Sequence, residues 1–239
     1  EKVAIVLSDC TICTSPDDQA LLMRLAPGKR VEVVSNGVQS EKYSPLPEDV
    51  KIAEKMKFGL QGPTGVFHGT LNYPPNKEAA EWLDSEVVPL IRKEIPDFEL
   101  VIAGRGGDEL NLENSRYLGF VSNLEALLAS CDVALSPLKS GSGTKLKILQ
   151  YMSCGLPTVM SPISAEGLNL VDGVEAIIVP AEKTVVARKT IGLLRDSILR
   201  KNLGNRARER VVKDYDWANQ VWKMSRITEE IAEHVRGRV

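Results

Sequence analysis

Long hydrophobic runs are missing from this sequence. The apolar stretches are short, such as Val3–Leu7 and Ala176–Pro180, and none approaches the ~20 residues of a membrane-spanning helix. The first residues do not read as a secretory signal. A surplus of one charge is missing too: Lys plus Arg is 30 and Asp plus Glu is 32, a formal net charge of −2. That balance argues against a general nucleic-acid binder. Histidine occurs twice, as His68 and His234, and cysteine four times. Cys10 and Cys13 make one C-x-x-C, but no second pair follows and both histidines lie far off in sequence. A tetrahedral zinc set is therefore not supplied, and no metal site is expected. Cys131 and Cys154 fall in apolar segments and read as core thiols, which fits a reducing, cytoplasmic compartment. There is no internal repeat and no low-complexity tract. With 43% hydrophobic and 26% charged residues, the 239-residue chain has ordinary globular proportions.

What is present is alternation. Short β-rich runs at Val31–Val34, Gly65–Phe67, Glu99–Ala103, Asp132–Ser136, Pro157–Met160 and Glu175–Val179 read as strands, with a shorter candidate at Tyr117–Gly119. Between them lie helical patterns. In Asn76–Glu94 the residues Ala79, Ala80, Leu83, Val87, Leu90 and Ile91 fall on one face, and Pro89 is expected to kink or split the helix. Ser122 and Glu125 make a capping box, and Thr144–Cys154 reads as a helix with Leu146, Leu149 and Ser153 on one side. The alternation predicts an α/β fold, a Rossmann-like parallel sheet with helices on both faces. Ligands of such sheets sit beyond the carboxyl ends of the strands.

Gln39–Pro63, with Pro45, Pro47, Pro63 and a Lys-rich stretch, reads as a linker or crossing segment. Beyond about Thr184 the chain is polar and helical, with signals at Leu193–Leu203 and Arg206–Val212, and Asp216 is placed to cap a last helix through Ile231. The chain opens at Glu1 directly on an apolar run, so we expect a segment of a longer protein that begins in mid-strand.

Ser140–Thr158, SGSGTKLKILQYMSCGLPT, follows a strand and opens a helix. Gly141 and Gly143 let the backbone approach a ligand, and N–H groups at a helix start can face an anion. Lys145 and Lys147 fall in the predicted first turn, where cations oppose the helix dipole unless an anion arrives. That conflict points to a phosphate site, although the spacing is not that of a Walker loop. The bland reading is a Gly-rich turn with two solvated lysines. At 100° per residue, Gly143, Lys147 and Gln150 share one side, so the Gln150 amide is placed to bond a sugar hydroxyl or to lie on the surface.

Several motifs now stand in order, and together they resemble the C-terminal domain of the group 1 family of retaining glycosyltransferases with the GT-B fold. Val33–Pro45 (VVSNGVQSEKYSP) is similar to the family's entry into that domain, and Phe67–Asn76 (FHGTLNYPPN) to its first βα turn. Leu100–Gly106 (LVIAGRG) resembles the strand beside the donor and Leu118–Asn123 (LGFVSN) the loop at the base. Ser140–Thr158 and SAEGL follow. The resemblance spans about residues 31–217. It implies sugar transfer from a nucleotide-sugar (UDP-, GDP- or ADP-sugar) to an acceptor hydroxyl with retention.

Domain expectations follow from it: 1–35 as a remnant of an N-terminal acceptor domain, reduced to its last strand and turn; 36–63 as the crossing segment; 64–215 as the donor-binding domain; 216–239 as a C-terminal helix folding back. By the same resemblance Gly69 and Thr70 lie near the donor phosphates, and Arg105 and Gly106 border the nucleotide pocket. Phe120 and Val121 meet the base. Gly141, Ser142, Gly143 and Thr144 cradle the diphosphate with Lys145 or Lys147, and Gln150 takes the ribose position. No metal or cofactor is implied, since cations and helix N-termini neutralise the leaving diphosphate. An acceptor glycan or lipid, and any peripheral membrane contact, would fall to the acceptor domain, and the fragment alone is expected to be inactive.

Departures from the family pattern are specific. Thr70 stands where the family often has Arg, and Asn76–Lys77 only roughly matches its Lys. Ser142 and Gln150 replace its two acids, the first as in a subgroup with a G-x-G-T-[KR]-L-K loop. Two alternatives stay open: a non-catalytic sugar-nucleotide-binding module and a sugar-nucleotide epimerase. Glu166 either meets the transferred sugar or caps a turn. His68 and Trp82 read as packing residues, and Lys139 as solvated.

Overall fold

The computed structural model describes residues 2–141 and 143–236. Its first unit is small: α1 (Lys2–Leu7), β1 (Thr11–Cys13), α2 (Pro16–Leu25) and β2 (Val31–Val33). β1 and β2 pair in parallel as a two-stranded sheet. Two expectations change here. The run Val3–Leu7 is a helix rather than a strand, and the unit is a β–α–β with its own helix α2 rather than a last strand and turn. Cys13 closes β1 and is buried.

The segment read as a linker carries a ten-residue helix, α3 (Glu48–Lys57). Its Lys-rich composition has a structural cause. Lys51 and Lys55, one turn apart, place their ammonium groups 3.0 and 2.6 Å from the Asp132 carboxylate, which also accepts from the Thr64 N–H at 2.8 Å. Burial pushes the Asp132 carboxyl up, but Lys51, Lys55 and the Thr64 amide together outweigh it and hold the pKa below the ordinary 3.8. A carboxyl depressed in the fold stabilises above its unfolded pKa, and this contribution is lost as pH falls through the folded one. Replacing Asp132 with alanine leaves two half-buried cations and one N–H unpaired. The expected loss is about 1–3 kcal/mol, read by urea denaturation at pH 7 and narrowing toward pH 3.

The remaining elements in chain order are β3 (Thr64–His68), α4 (Pro74–Trp82), a π-helical turn (Leu83–Val87), α5 (Val88–Glu94), β4 (Glu99–Ala103) and β5 (Ser115–Gly119). Then come α6 (Leu124–Ser130), β6 (Val133–Ser136), α7 (Leu146–Ser153), β7 (Thr158–Met160), α8 (Pro162–Ala165) and β8 (Ile177–Ile178). The described chain ends with α9 (Lys183–Arg195), α10 (Ser197–Asp214) and α11 (Trp217–Arg236).

Six strands form one parallel sheet in the order β5-β4-β3-β6-β7-β8. β3, β4 and β6 alternate between two cores because both sheet faces are covered. Val66, Val101 and Ala134 face α6 and α7, while Phe67, Ile102 and Leu135 face the layer of α4, α5 and α9. Strand order reverses between β3 and β6, so the loops leaving these two strands diverge and open a crevice at their carboxyl ends.

Local chemistry explains the boundaries. Pro89 has no N–H for the helical ladder, and the pattern over 76–94 splits just before it, through the π-helical turn. The cap of α6 is Asn123, not Ser122, its side chain accepting from the Ala126 N–H at 3.3 Å. α7 begins at Leu146, so Lys145 takes the N-cap position, without a side-chain cap bond, rather than lying in its first turn, and Leu146 is exposed whereas Leu149 and Ser153 are buried. The 193–203 signal is interrupted at Asp196, which caps α10 through the Leu199 N–H at 2.8 Å. Asp216 caps α11 as expected, accepting from the Ala218 N–H at 2.8 Å.

Candidate functional site

Three loops meet at the switch point: 69–73 after β3, 104–107 after β4 and 137–145 after β6. Gly69 donates its N–H to the Ala103 carbonyl at 3.0 Å, and the Leu71 N–H bonds the Arg105 carbonyl at 2.8 Å. Gly104 donates to the Gly119 carbonyl at 2.8 Å, while Tyr117 Oη donates to the Gly104 carbonyl at 2.8 Å and accepts from the Gly107 N–H at 3.0 Å. The strand ends are thus laced together by these hydrogen bonds.

Lys147 occupies the centre. It lies in the first turn of α7, is 9% exposed, and donates from Nζ to Asn76 Oδ1 at 2.6 Å. Its ammonium stands 4.3 Å from the centre of the Phe67 ring. A side chain at position 69 would bring Cβ to 2.8 Å from Lys147 Nζ, so glycine is what leaves room there. Asn76 is itself held, its Nδ2 donating to the Thr70 carbonyl at 2.9 Å. Burial first, then the nearby positive Lys145, pulls the Lys147 pKa from 10.5 down to about 7. No carboxylate pairs with this ammonium among the described residues. A buried ammonium with one neutral partner lacks the charged partner that burial ordinarily demands.

His68, the last residue of β3, is buried edge-on to Tyr151 with ring centroids 5.0 Å apart. Burial, and secondly Lys147, lowers its pKa to about 3, so it is neutral at physiological pH. Its Nε2 and the Thr144 Oγ1 are both buried without a hydrogen-bond partner among the described residues. His68 is packed against Tyr151.

The two lysines divide their work. Lys145 Nζ donates to the carbonyls of Gly143 at 2.6 Å and Gly141 at 3.3 Å, so it closes its own loop. Burial lowers its pKa, and Glu166 opposes that shift. Gly141 (φ +110) and Gly143 (φ +75) hold backbone that side chains resist, and a Cβ at Gly141 would lie 3.0 Å from Tyr73 Oη. Thr144 packs where Gly167 and Ser15 meet. Ser142 lies outside the described residues.

At the far side Arg105 and Phe120 are exposed and stacked, the guanidinium 4.4 Å from the ring centre. Gly106 has φ +78 beside the Asn72 amide. Thr70 is exposed, whereas Val121 packs against the core rather than standing free. Gln150 is half-buried and donates from Nε2 to Tyr43 Oη at 2.8 Å. The structure therefore joins Gly69, Thr70 and Lys147 through Asn76, and Arg105 to Phe120. Asn76, Tyr73 and Tyr43 were not singled out from sequence as site residues. Asn76 carried a signal in the Phe67–Asn76 motif and Tyr43 in the Val33–Pro45 motif, but neither was given a role. Lys139, read as solvated, has its Nζ 4.5 Å from the Trp82 ring. No helix among the described residues is long and apolar enough to cross a membrane.

A doubly wound parallel sheet with a buried lysine at its switch point defines a Rossmann-like domain. The chain belongs to the family described as "Glycosyl transferases group 1", whose profile matches residues 62–196. It is 28% identical over 209 residues to the phosphatidyl-myo-inositol mannosyltransferase of Mycobacterium leprae, covering 83% of this chain and 53% of that protein. The chain spans about half the length of the curated relatives it matches. Among solved structures, Anabaena HepE in complex with UDP superposes with a TM-score of 0.79 at 17% identity, over 95% of this chain and 65% of that one. Sucrose-phosphate synthase from Thermosynechococcus elongatus gives 0.78 at 18% identity, over 98% and 61%. Both are likenesses of fold, that of GT-B glycosyltransferases.

Proposed function

We propose that this chain is the donor-binding half of a retaining glycosyltransferase, holding a nucleotide-sugar whose sugar passes to an acceptor hydroxyl. The observation that carries the reading is the buried Lys147 ammonium at the β3–β6 switch point, held by one neutral amide. A diphosphate oxygen there restores the charge that burial suppresses. As the sugar–phosphate bond breaks, negative charge grows on the leaving diphosphate, and a preorganised cation stabilises it without reorganisation. In this reading Gly69 leaves room beside the Lys147 ammonium, Thr70 and the glycines Gly141 and Gly143 border the diphosphate, and Lys145 keeps its loop closed. Gly106 and Val121 border the nucleoside, the exposed Arg105–Phe120 pair stacks at the base, and Gln150 meets the ribose. No metal or cofactor is assigned a role.

The matching family and a neighbour solved with UDP and with UDP-glucose support a nucleotide-sugar as the ligand. The acceptor, a glycan or lipid, is assigned to the side of the β1–α2–β2 unit, where Ser15 adjoins the Thr144–Gly167 corner. The test is calorimetric titration of the protein with UDP, GDP and ADP, each with and without a divalent cation. One nucleotide is expected to bind with micromolar affinity irrespective of metal, and Arg105→Ala to weaken it about two- to fivefold, the value of one exposed cation–π contact. Binding of none of the three would overturn the reading.

A further inference from the structure

Gln150 stands three residues beyond Lys147 on α7, a rise of about 4.5 Å at 1.5 Å per residue. In the proposed function Gln150 takes the ribose position. Gln150 does not face that position alone. Its Nε2 donates to Tyr43 Oη at 2.8 Å, and Tyr43 is fixed to the same helix from behind. The Tyr43 carbonyl accepts from Ser153 Oγ at 2.6 Å and from Arg208 Nη1 at 3.0 Å. The Arg208 guanidinium also bonds the carbonyls of Ser40 and Ser153. Burial raises the phenol pKa, the first cause of its shift, so the hydroxyl keeps its proton.

The remaining valences can be counted. A phenol has one proton and two lone pairs, and a primary amide has two protons and one carbonyl oxygen. Gln150 Nε2 takes one lone pair of Tyr43. Among the described residues the Tyr43 proton has no acceptor and Gln150 Oε1 has no donor. Among them the second Gln150 N–H is free as well, so the pair offers two donors beside the Gln150 carbonyl acceptor, with no charge. Turning the amide over exchanges the two roles and leaves the same count. A vicinal diol, each of whose hydroxyls both gives and accepts, is the complement.

We propose that Tyr43 is a specificity-determining residue of the donor site, reading the ribose diol together with Gln150 as a single neutral unit. The proposal rests on the reading that the crevice binds a nucleotide-sugar. A neutral pair holds a diol by two ordinary hydrogen bonds, and this assigns a site role to a residue of the crossing segment.

The experiment compares wild type with Tyr43→Phe, using UDP, GDP and ADP alongside their 2′,3′-dideoxy forms. Thermal unfolding monitors the fold of the variant. For the nucleotide that wild type binds, the variant is expected to weaken the ribonucleotide roughly three- to tenfold, the value of one net hydrogen bond. The dideoxy form is expected to be unaffected. Gln150→Ala in the Tyr43→Phe background should then add less than it does alone, because the two act as one unit. Equal weakening of both nucleotide forms would mean a structural role and overturn the proposal, as would no weakening of either. If wild type binds a nucleotide through Lys147 while Tyr43→Phe is indifferent, the donor reading stands and Tyr43 falls. If wild type binds no nucleotide, both fall.

Discussion

Replacing Lys147 with methionine is expected to weaken nucleoside diphosphate binding roughly 10- to 100-fold, the value of a hydrogen bond to a charged group, and to stabilise the unliganded protein. The two effects share one cause. The ammonium is buried beside Phe67 with Asn76 Oδ1 as its bonded partner, and its pKa is near 7. Burial thus disfavours the charged form in the absence of an anion. Methionine fills similar space without that penalty, although it leaves the Asn76 oxygen unpaired. A net gain of about 1–2 kcal/mol near pH 6.5 is the expected balance, a stability–function trade-off.

The sign with pH follows from linkage. The unfolded lysine binds its proton up to the ordinary 10.5, while the folded one releases it near 7. Wild-type stability therefore rises with pH between about 7 and 10.5. The advantage of the variant is largest below 7 and shrinks across that window, as denaturation at pH 6.5 and 9 would show. Binding runs the other way. A diphosphate needs the ammonium, so wild-type affinity should fall about tenfold per pH unit above 7. Calorimetry at pH 8 in buffers of different ionisation enthalpy should register uptake of close to one proton. Affinity flat from pH 6.5 to 9 would assign the anion to another group.

The strands at the centre of the sheet were legible because they are buried on both faces and read as unbroken apolar runs. β4 matches its expected limits, Glu99–Ala103. β5 extends two residues earlier than its apolar core because Ser115 and Arg116 lie on the sheet edge. Val3–Leu7 misled because a short apolar run carries no usable period; Val3 and Leu7 are exposed. α3 was hidden because its apolar stripe is weak and its anchor, Asp132, lies far along the chain. At the site, the anion signal of the 140–158 loop was readable, but the division between its two lysines was not. It depends on α7 starting one residue after Lys145, which turns one ammonium back onto the loop and leaves the other in the crevice. Asn76 and Tyr43 reach the site through tertiary packing, across 71 and 107 residues of sequence respectively, so the motifs that hold them do not show which side chain they meet.

Gly104→Ala is expected to damage stability and site together, by about 2–4 kcal/mol and roughly tenfold in nucleotide affinity. Gly104 has φ +140, and a Cβ there would overlap the carbonyl oxygen of Gly69. That carbonyl belongs to the loop whose N–H is tied to Ala103 at 3.0 Å, so it cannot retreat without loosening β3 from β4. Any retreat also carries the neighbouring Thr70 carbonyl, which orients the Asn76 amide that holds Lys147. The strain thus reaches the ammonium through two hydrogen bonds. Gly119→Ala is the control. Gly119 also has positive φ, at +65, and accepts from the Gly104 N–H, but a Cβ there meets nothing within 4 Å. Its cost should be the left-handed penalty alone, about 1–2 kcal/mol, with affinity unchanged. In sequence the two glycines look alike, each closing a strand. Urea denaturation and nucleotide titration of the two variants separate them, and equal losses in both would mean that the 69–73 loop yields without disturbing Lys147.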